Sequence, residues 1–150
     1  MKNIEKFLSL LGQEADGLLL TSRYARFYAA EFDIAEGVAV VSKKGCRYFT
    51  DSRYIESAQN SIKDFEVLLT DRSMPFNTLI NNAIADFGIT KLGYEEDYLV
   101  VGEFLGYEKN LHADLVPMNK AIHSFRAVKE EWELNCMRKA QEITDDVFAY

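Results

Sequence analysis

A chain of 150 residues with 48% apolar content is long enough to bury a core and near the common size of a single domain. A formal charge of −7 leaves no basic face to release counterions from a phosphate backbone, which argues against nucleic acid as a partner. Glu5 and Lys6 break any apolar run before Leu11, so neither a signal peptide nor a membrane span is expected and the protein reads as cytoplasmic.

Ile4, Phe7, Leu8 and Leu11 share one face of an opening helix ended by Gly12. Gly17 to Leu20 is a short apolar run of the kind found in buried strands. Val38 to Val41 and Arg47 to Thr50 form a hairpin, turned at Ser42, Lys43, Lys44 and Gly45. Tyr54, Ile55, Ala58 and Ile62 follow helical spacing, and Phe65 to Leu69 is a strand. After Pro75, a broad stripe of Phe76, Leu79, Ile80, Ala83, Ile84 and Phe87 marks a helix closed by Gly88. Lys91 to Tyr94 is a strand, Val100 to Leu111 a helix, and Asp114 to Val116 a last strand stopped by Pro117. Strands alternating with helices, plus a hairpin, predict an α/β fold: a central mixed sheet with helices on both faces.

From Glu130 to Tyr150 one helical pattern places Trp132, Cys136, Ala140, Ile143 and Val147 on an apolar stripe. Glu130, Glu131 and Glu133 suit the positive end of a helix dipole, whereas no cap residue marks the other end. The reading is a helix that stops mid-pattern and needs a partner for its stripe.

Catalytic motifs are absent: His112 and His123 are not at i, i+4 spacing, and no HExxH, GxSxG, P-loop or GxGxxG string occurs. Cys46 and Cys136, far apart and without a CxxC, read as reduced thiols. The acids Glu95, Glu96 and Asp97, and the pair Asp145 and Asp146, read as solvated charge. Two strings carry more. Phe49 to Ala58 (FTDSRYIESA) passes from a strand end into a helix, where Asp51 can hold the loop while Arg53 and Tyr54 project toward a ligand or a neighbouring subunit. The plainer alternative has Asp51 capping the helix and Arg53 in a domain-locking ion pair. In the second string, Phe125 to Phe148, Arg126 and Lys129 precede the acidic helix and are read as satisfying carboxylates or carbonyls at a domain junction.

In this order and separation, these strings resemble the N-terminal domain of the creatinase, prolidase and aminopeptidase P family of metallopeptidases. Thr50, Asp51, Arg53, Tyr54 and Ala58 fit its "TD-x-RY-x-x-x-A" pattern. Arg126, Val128, Lys129, Glu133, Leu134, Met137, Arg138 and Ala140 fit the pattern that opens its catalytic domain. Glu36, Gly37 and Val38, and Leu92 to Glu95, are supporting matches. In the family's "N-x-RY-L-T-GF" segment Tyr28 and Phe32 are kept, but Ala25, Phe27 and Glu31 stand where Asn, Arg and Gly are usual.

The resemblance implies a ribonuclease H-like, creatinase-type N-terminal domain over residues 1–124. Residues 125–150 would then be a linker and the first helix of a metallopeptidase catalytic domain. It implies a non-catalytic role in a Xaa-Pro aminopeptidase or dipeptidase that acts on proline-containing peptides, with this domain supporting a homo-oligomer and shaping the substrate pocket. The family's two divalent ions (manganese, cobalt or zinc) are held by two Asp, one His and two Glu of the later domain, so no metal ligand is carried onto this sequence. Asp51, Arg53 and Tyr54 become pocket or interface candidates, Arg126 and Lys129 junction residues facing the protein's own catalytic domain. Two alternatives share the fold: a stand-alone binding or assembly module without metal, and the N-terminal domain of a creatinase-like amidinohydrolase.

Overall fold

The computed structural model describes residues 3–149. Six strands, β1 (Gly17–Leu20), β2 (Val38–Ser42), β3 (Gly45–Thr50), β4 (Glu66–Leu69), β5 (Lys91–Tyr94) and β6 (Asp114–Pro117), form one sheet in the order β4-β3-β2-β1-β5-β6. The hairpin pairs Ser42 with Gly45 and Val38 with Phe49, and β2 also runs antiparallel to β1, with Leu18 opposite Val41. The pairs β1–β5, β5–β6 and β3–β4 are parallel, so the sheet is mixed.

Side chains alternate across a strand, and this alternation sorts the core into two layers. Leu18 and Leu20 join Ala39, Val41 and Tyr48 beneath α1 (Asn3–Ser9), α2 (Arg23–Ala30), α3 (Ile55–Ser61) and α6 (Asn119–Ala127). Leu19 joins Val38, Val40, Phe49 and Leu92 beneath α4 (Phe76–Phe87) and α5 (Val101–Asn110). Helices therefore cover both faces, as the pattern predicts. Each fully buried Leu or Phe adds about 1.5–3 kcal/mol relative to exposure. Two glycines are dictated by geometry. Gly88 caps α4 at φ 64, and at Gly37 (φ 148) a Cβ would meet the Phe49 carbonyl oxygen at 2.7 Å.

The sequence pattern left α2 and α6 unassigned, and their inward faces explain why. In α2 (RYARFYAA) the buried positions are Ala25, Arg26, Tyr28, Ala29 and Ala30, small or polar residues rather than an aliphatic stripe. In α6 (NKAIHSFRA) only Ile122 is buried. Because α6 runs unbroken to Ala127, residues 124 and 125 lie within one helix, and the chain becomes extended at Val128 (φ −99, ψ 115). Beyond it stands α7 (Glu131–Ala149), which buries no residue. Trp132, Met137, Ile143, Val147 and Phe148 are all more than half exposed. The terminal residue of the expected helix, Tyr150, lies outside the described residues.

Candidate functional site

The Asp51 loop follows β3 directly. Thr50 anchors the strand end by donating its hydroxyl to the Glu36 carbonyl at 3.1 Å. The Asp51 carboxylate accepts the Arg53 backbone N–H at 2.9 Å and the Arg53 guanidinium at 2.6 Å, and the guanidinium lies 5.1 Å over the Tyr54 ring. These contacts from Arg53 hold the Asp51 carboxyl below its ordinary range. The three candidates thus form one local cluster in which Arg53 is exposed while Tyr54 is partly buried against the core. Asp51 orders the turn before α3, and the ion pair of Arg53 closes within that turn and ties no other element.

A second carboxylate behaves in the opposite way. Glu95, read from sequence as solvated, is 0% exposed. It follows β5, whose parallel neighbour β1 delivers Thr21 and Ser22 beside it. Glu95 Oε2 accepts the backbone N–H groups of Thr21 and Ser22 at 2.9 and 3.0 Å, and Oε1 accepts the Ser22 hydroxyl at 2.6 Å. His123 Nε2, from α6, lies 3.1 Å from Oε1. Ser22 is also the N-cap of α2, its Oγ accepting from Ala25 N–H at 3.0 Å. Thus one buried anion ties the β1–α2 junction to α6, with the several donors that such a charge requires. The neighbouring acids do related work at the surface: Glu96 accepts the Asn119 N–H at 2.8 Å at the start of α6, and Asp97 accepts from the Asn119 side chain. Asp145 accepts from Gln141 on exposed α7 at 2.7 Å.

Arg126 and Lys129 flank the passage into α7. Arg126 Nη1 donates to His123 Nδ1 at 3.0 Å, and its guanidinium lies 5.4 Å over the Tyr24 ring. Lys129 Nζ donates to the Ala127 carbonyl at 3.2 Å. Among the described residues Lys129 thus has a carbonyl partner and Arg126 an imidazole, and neither has a carboxylate. Among the described residues an ion pair at this junction joins Lys6 to Glu130 at 2.7 Å, with Lys6 also donating to the Tyr28 hydroxyl at 2.8 Å. Burial opposes the Lys6 charge, but these two partners outweigh it and raise its pKa above the ordinary 10.5. Lys6 interrupts an apolar pattern, so the sequence offered no sign of its partner.

The altered segment from Ala25 to Phe32 takes a structural role. Arg26 is buried and donates to the carbonyls of Thr21, Ile34 and Ala35 and to the Tyr48 hydroxyl. Glu31 closes α2 in the left-handed region (φ 53), the conformation that favours glycine. Between α2 and α7 lies a cleft of about 550 Å³, walled by Tyr24, Phe27, Tyr28, Trp132 and Met137 and edged by Arg126 and Lys129. Among the described residues, no three His, Cys, Asp or Glu side chains gather as a metal site, and Glu95 and His123 are both engaged by protein partners. No described helix is long and apolar enough to cross a membrane.

A mixed sheet in this order carries the Asp51 loop at one strand end and Glu95 at another in an α/β fold. Residues 4–128 match the creatinase/prolidase N-terminal domain family, and the chain belongs to that family. A Bacillus subtilis protein described as the uncharacterised peptidase YqhT is 32% identical over 149 residues, which is 98% of this chain and 42% of that protein. A Xaa-Pro dipeptidase from Bacillus anthracis superposes with a TM-score of 0.90 at 28% identity, covering 99% of this chain and 42% of that one. The fold is shared with a prolidase from Pyrococcus horikoshii at a TM-score of 0.83 and 18% identity, again over 42% of the longer chain. The chain therefore spans well under half the length of these relatives.

Proposed function

We propose that this chain is the non-catalytic N-terminal domain of a cytoplasmic Xaa-Pro peptidase, joined through Val128–Glu130 to a catalytic domain whose first helix is α7. The observation that carries the reading is the likeness to the Bacillus anthracis Xaa-Pro dipeptidase, which continues through α7 and covers 99% of this chain. The more than half-exposed apolar stripe of α7 supports it, because such a face calls for a protein partner. In the longer protein, two divalent ions, of manganese, cobalt or zinc, held by the catalytic domain would activate the water that cleaves a proline-containing peptide. The part assigned to this domain is to support a homo-oligomer, a dimer in the simplest case, and to shape the pocket. Exposed Arg53 extends from the Asp51 turn where a neighbouring subunit or substrate can reach it, with Asp51 fixing the guanidinium and the partly buried Tyr54 ring beneath it.

The test is Arg53→Ala in the longer protein, read by steady-state kinetics on an Xaa-Pro peptide and by sedimentation. A raised KM or a shift toward monomer is expected, and unchanged values of both would remove these roles. The 150-residue chain itself, supplied with manganese and the same peptide, should show no turnover.

A further inference from the structure

Arg23, Arg47, Arg53 and Arg138 each meet a carboxylate, and buried Arg26 spends its N–H groups on three carbonyls and the Tyr48 hydroxyl. Arg126 is held by an imidazole instead. Its Nη1 lies 3.0 Å from His123 Nδ1, and because a guanidinium carries no acceptor, Nδ1 is the lone-pair nitrogen. The single N–H of the neutral ring then belongs to Nε2, 3.1 Å from the buried Glu95 Oε1. Hydrogen bonds therefore run without a break from Ser22 at the β1–α2 junction through Glu95 and His123 to Arg126 in the last turn of α6. Just beyond, the backbone becomes extended at Val128 on its way to α7.

That chain of bonds fits one protonation state of the ring. The His123 side chain is 19% exposed and that of Glu95 0%, so a proton arriving from solvent meets the imidazole and adds to Nδ1. Nε2 keeps its own N–H, and its bond to Glu95 becomes charge-assisted. On the other side an Nδ1–H then stands against a guanidinium N–H, two cationic donors with no acceptor between them. Of the contacts described for Arg126, the Tyr24 ring at 5.4 Å is what remains. The other charged and titratable groups nearby are committed elsewhere. In the loop after β5, Tyr98 stacks on the imidazole, while Glu96 and Asp97 hold Asn119 at the start of α6. From the start of α2, the Ser22 hydroxyl occupies the same carboxylate oxygen as His123. On α1, Lys6 is engaged by Glu130 and Tyr28. Beside Arg126, Lys129 bonds to the Ala127 carbonyl, Glu133 accepts the Glu130 N–H, and exposed Glu31 closes α2. We propose that His123 is a pH-sensitive latch: neutral, it fastens Arg126 and the end of α6 to Glu95, and on taking up a second proton it stays on Glu95 and releases Arg126. The latch stands on this geometry and is independent of the peptidase reading.

The test is a pH titration of the 150-residue chain followed by NMR. Long-range nitrogen–proton spectra should show the Nε2–H tautomer of His123 at the alkaline end. As pH falls, the Arg126 Cζ signal should move with the same midpoint as the His123 ring. His112, the other histidine, is exposed ahead of β6, and its titration should leave Arg126 untouched. Arg126→Met removes the opposing cation, so His123 should take up its proton at higher pH. In His123→Phe, which keeps a ring against Tyr98, the Arg126 signal should hold one position across the range, that of the released side chain. An Nδ1–H tautomer, an Arg126 signal indifferent to the His123 titration, or a His123 that takes up no proton before the chain unfolds in acid would overturn the proposal, and each is read on the unaltered chain. So would an unchanged or lower His123 midpoint in Arg126→Met.

Discussion

Two strands of this sheet end in a carboxylate, and the same backbone turn follows each. The Asp51 carbonyl accepts from Tyr54 and Ile55 N–H, both at 3.1 Å, and the Glu95 carbonyl accepts from Tyr98 and Leu99 N–H at 3.1 and 3.2 Å. The side chains nevertheless meet opposite fates. Beside Asp51 the adjoining strand β2 is entered through Glu36 and Gly37, which supply a carbonyl and a glycine but no donor, so Asp51 turns to Arg53 two residues on. Beside Glu95 the parallel strand β1 ends in Thr21 and Ser22, which supply two N–H groups and a hydroxyl, and α6 adds an imidazole. Local sequence sets the turn. The neighbouring strand decides whether its carboxylate is a solvated pair or a buried hub.

Substitutions can break this contrast, and the largest effect belongs to Glu95→Gln. The variant keeps the shape but turns an amide NH₂ toward groups that already donate, which should cost about 2–4 kcal/mol in urea unfolding. A loss within error would show that the buried hub contributes nothing. Next is Lys6→Met, which removes another buried charge that bridges elements. The folded pKa of Lys6 is raised, so its stabilisation is fully present below 10.5 and is lost as pH rises through the higher folded value. Wild type should therefore lose stability relative to Lys6→Met along the alkaline limb. Contact with Lys6 also holds the Glu130 carboxyl below its ordinary 4.5, so that contribution is present above 4.5 and lost as pH falls through the lower folded value. Parallel pH–stability curves for the two proteins would contradict both signs. A smaller gain is expected from Glu31→Gly, which relieves a left-handed cap and should stabilise by about 1 kcal/mol in thermal melts. Smallest is Asp51→Asn, whose exposed pair is screened by solvent and should leave the urea midpoint nearly in place.

The same division explains what could be read from the sequence. The hairpin β2–β3 is legible because Val38 to Val41 is a continuous apolar run followed by a short turn, and helix α4 because Leu79, Ile80, Ala83 and Ile84 form a stripe. Helices α2 and α6 are not, because Arg26 and Tyr28 are buried by partners distant in sequence and His123 is held by a carboxylate from another loop. Asp51 and Arg53 stood out because their interaction is local. Glu95 hid among Glu96 and Asp97, since nothing within the string tells which acid the β1–α2 junction will receive. Arg126 was recognisable as a junction residue, but its neutral partner, His123, becomes visible only once α6 is formed.

The central claim, that Glu95 rather than Asp51 organises the fold, is tested most directly by amide hydrogen exchange followed residue by residue. The Thr21 and Ser22 amides should be strongly protected in the wild type and lose that protection in Glu95→Gln. The Arg53 amide, held by exposed Asp51, should exchange quickly both in the wild type and in Asp51→Asn. Unprotected Thr21 and Ser22 amides in the wild type, or protection that survives Glu95→Gln, would contradict the account.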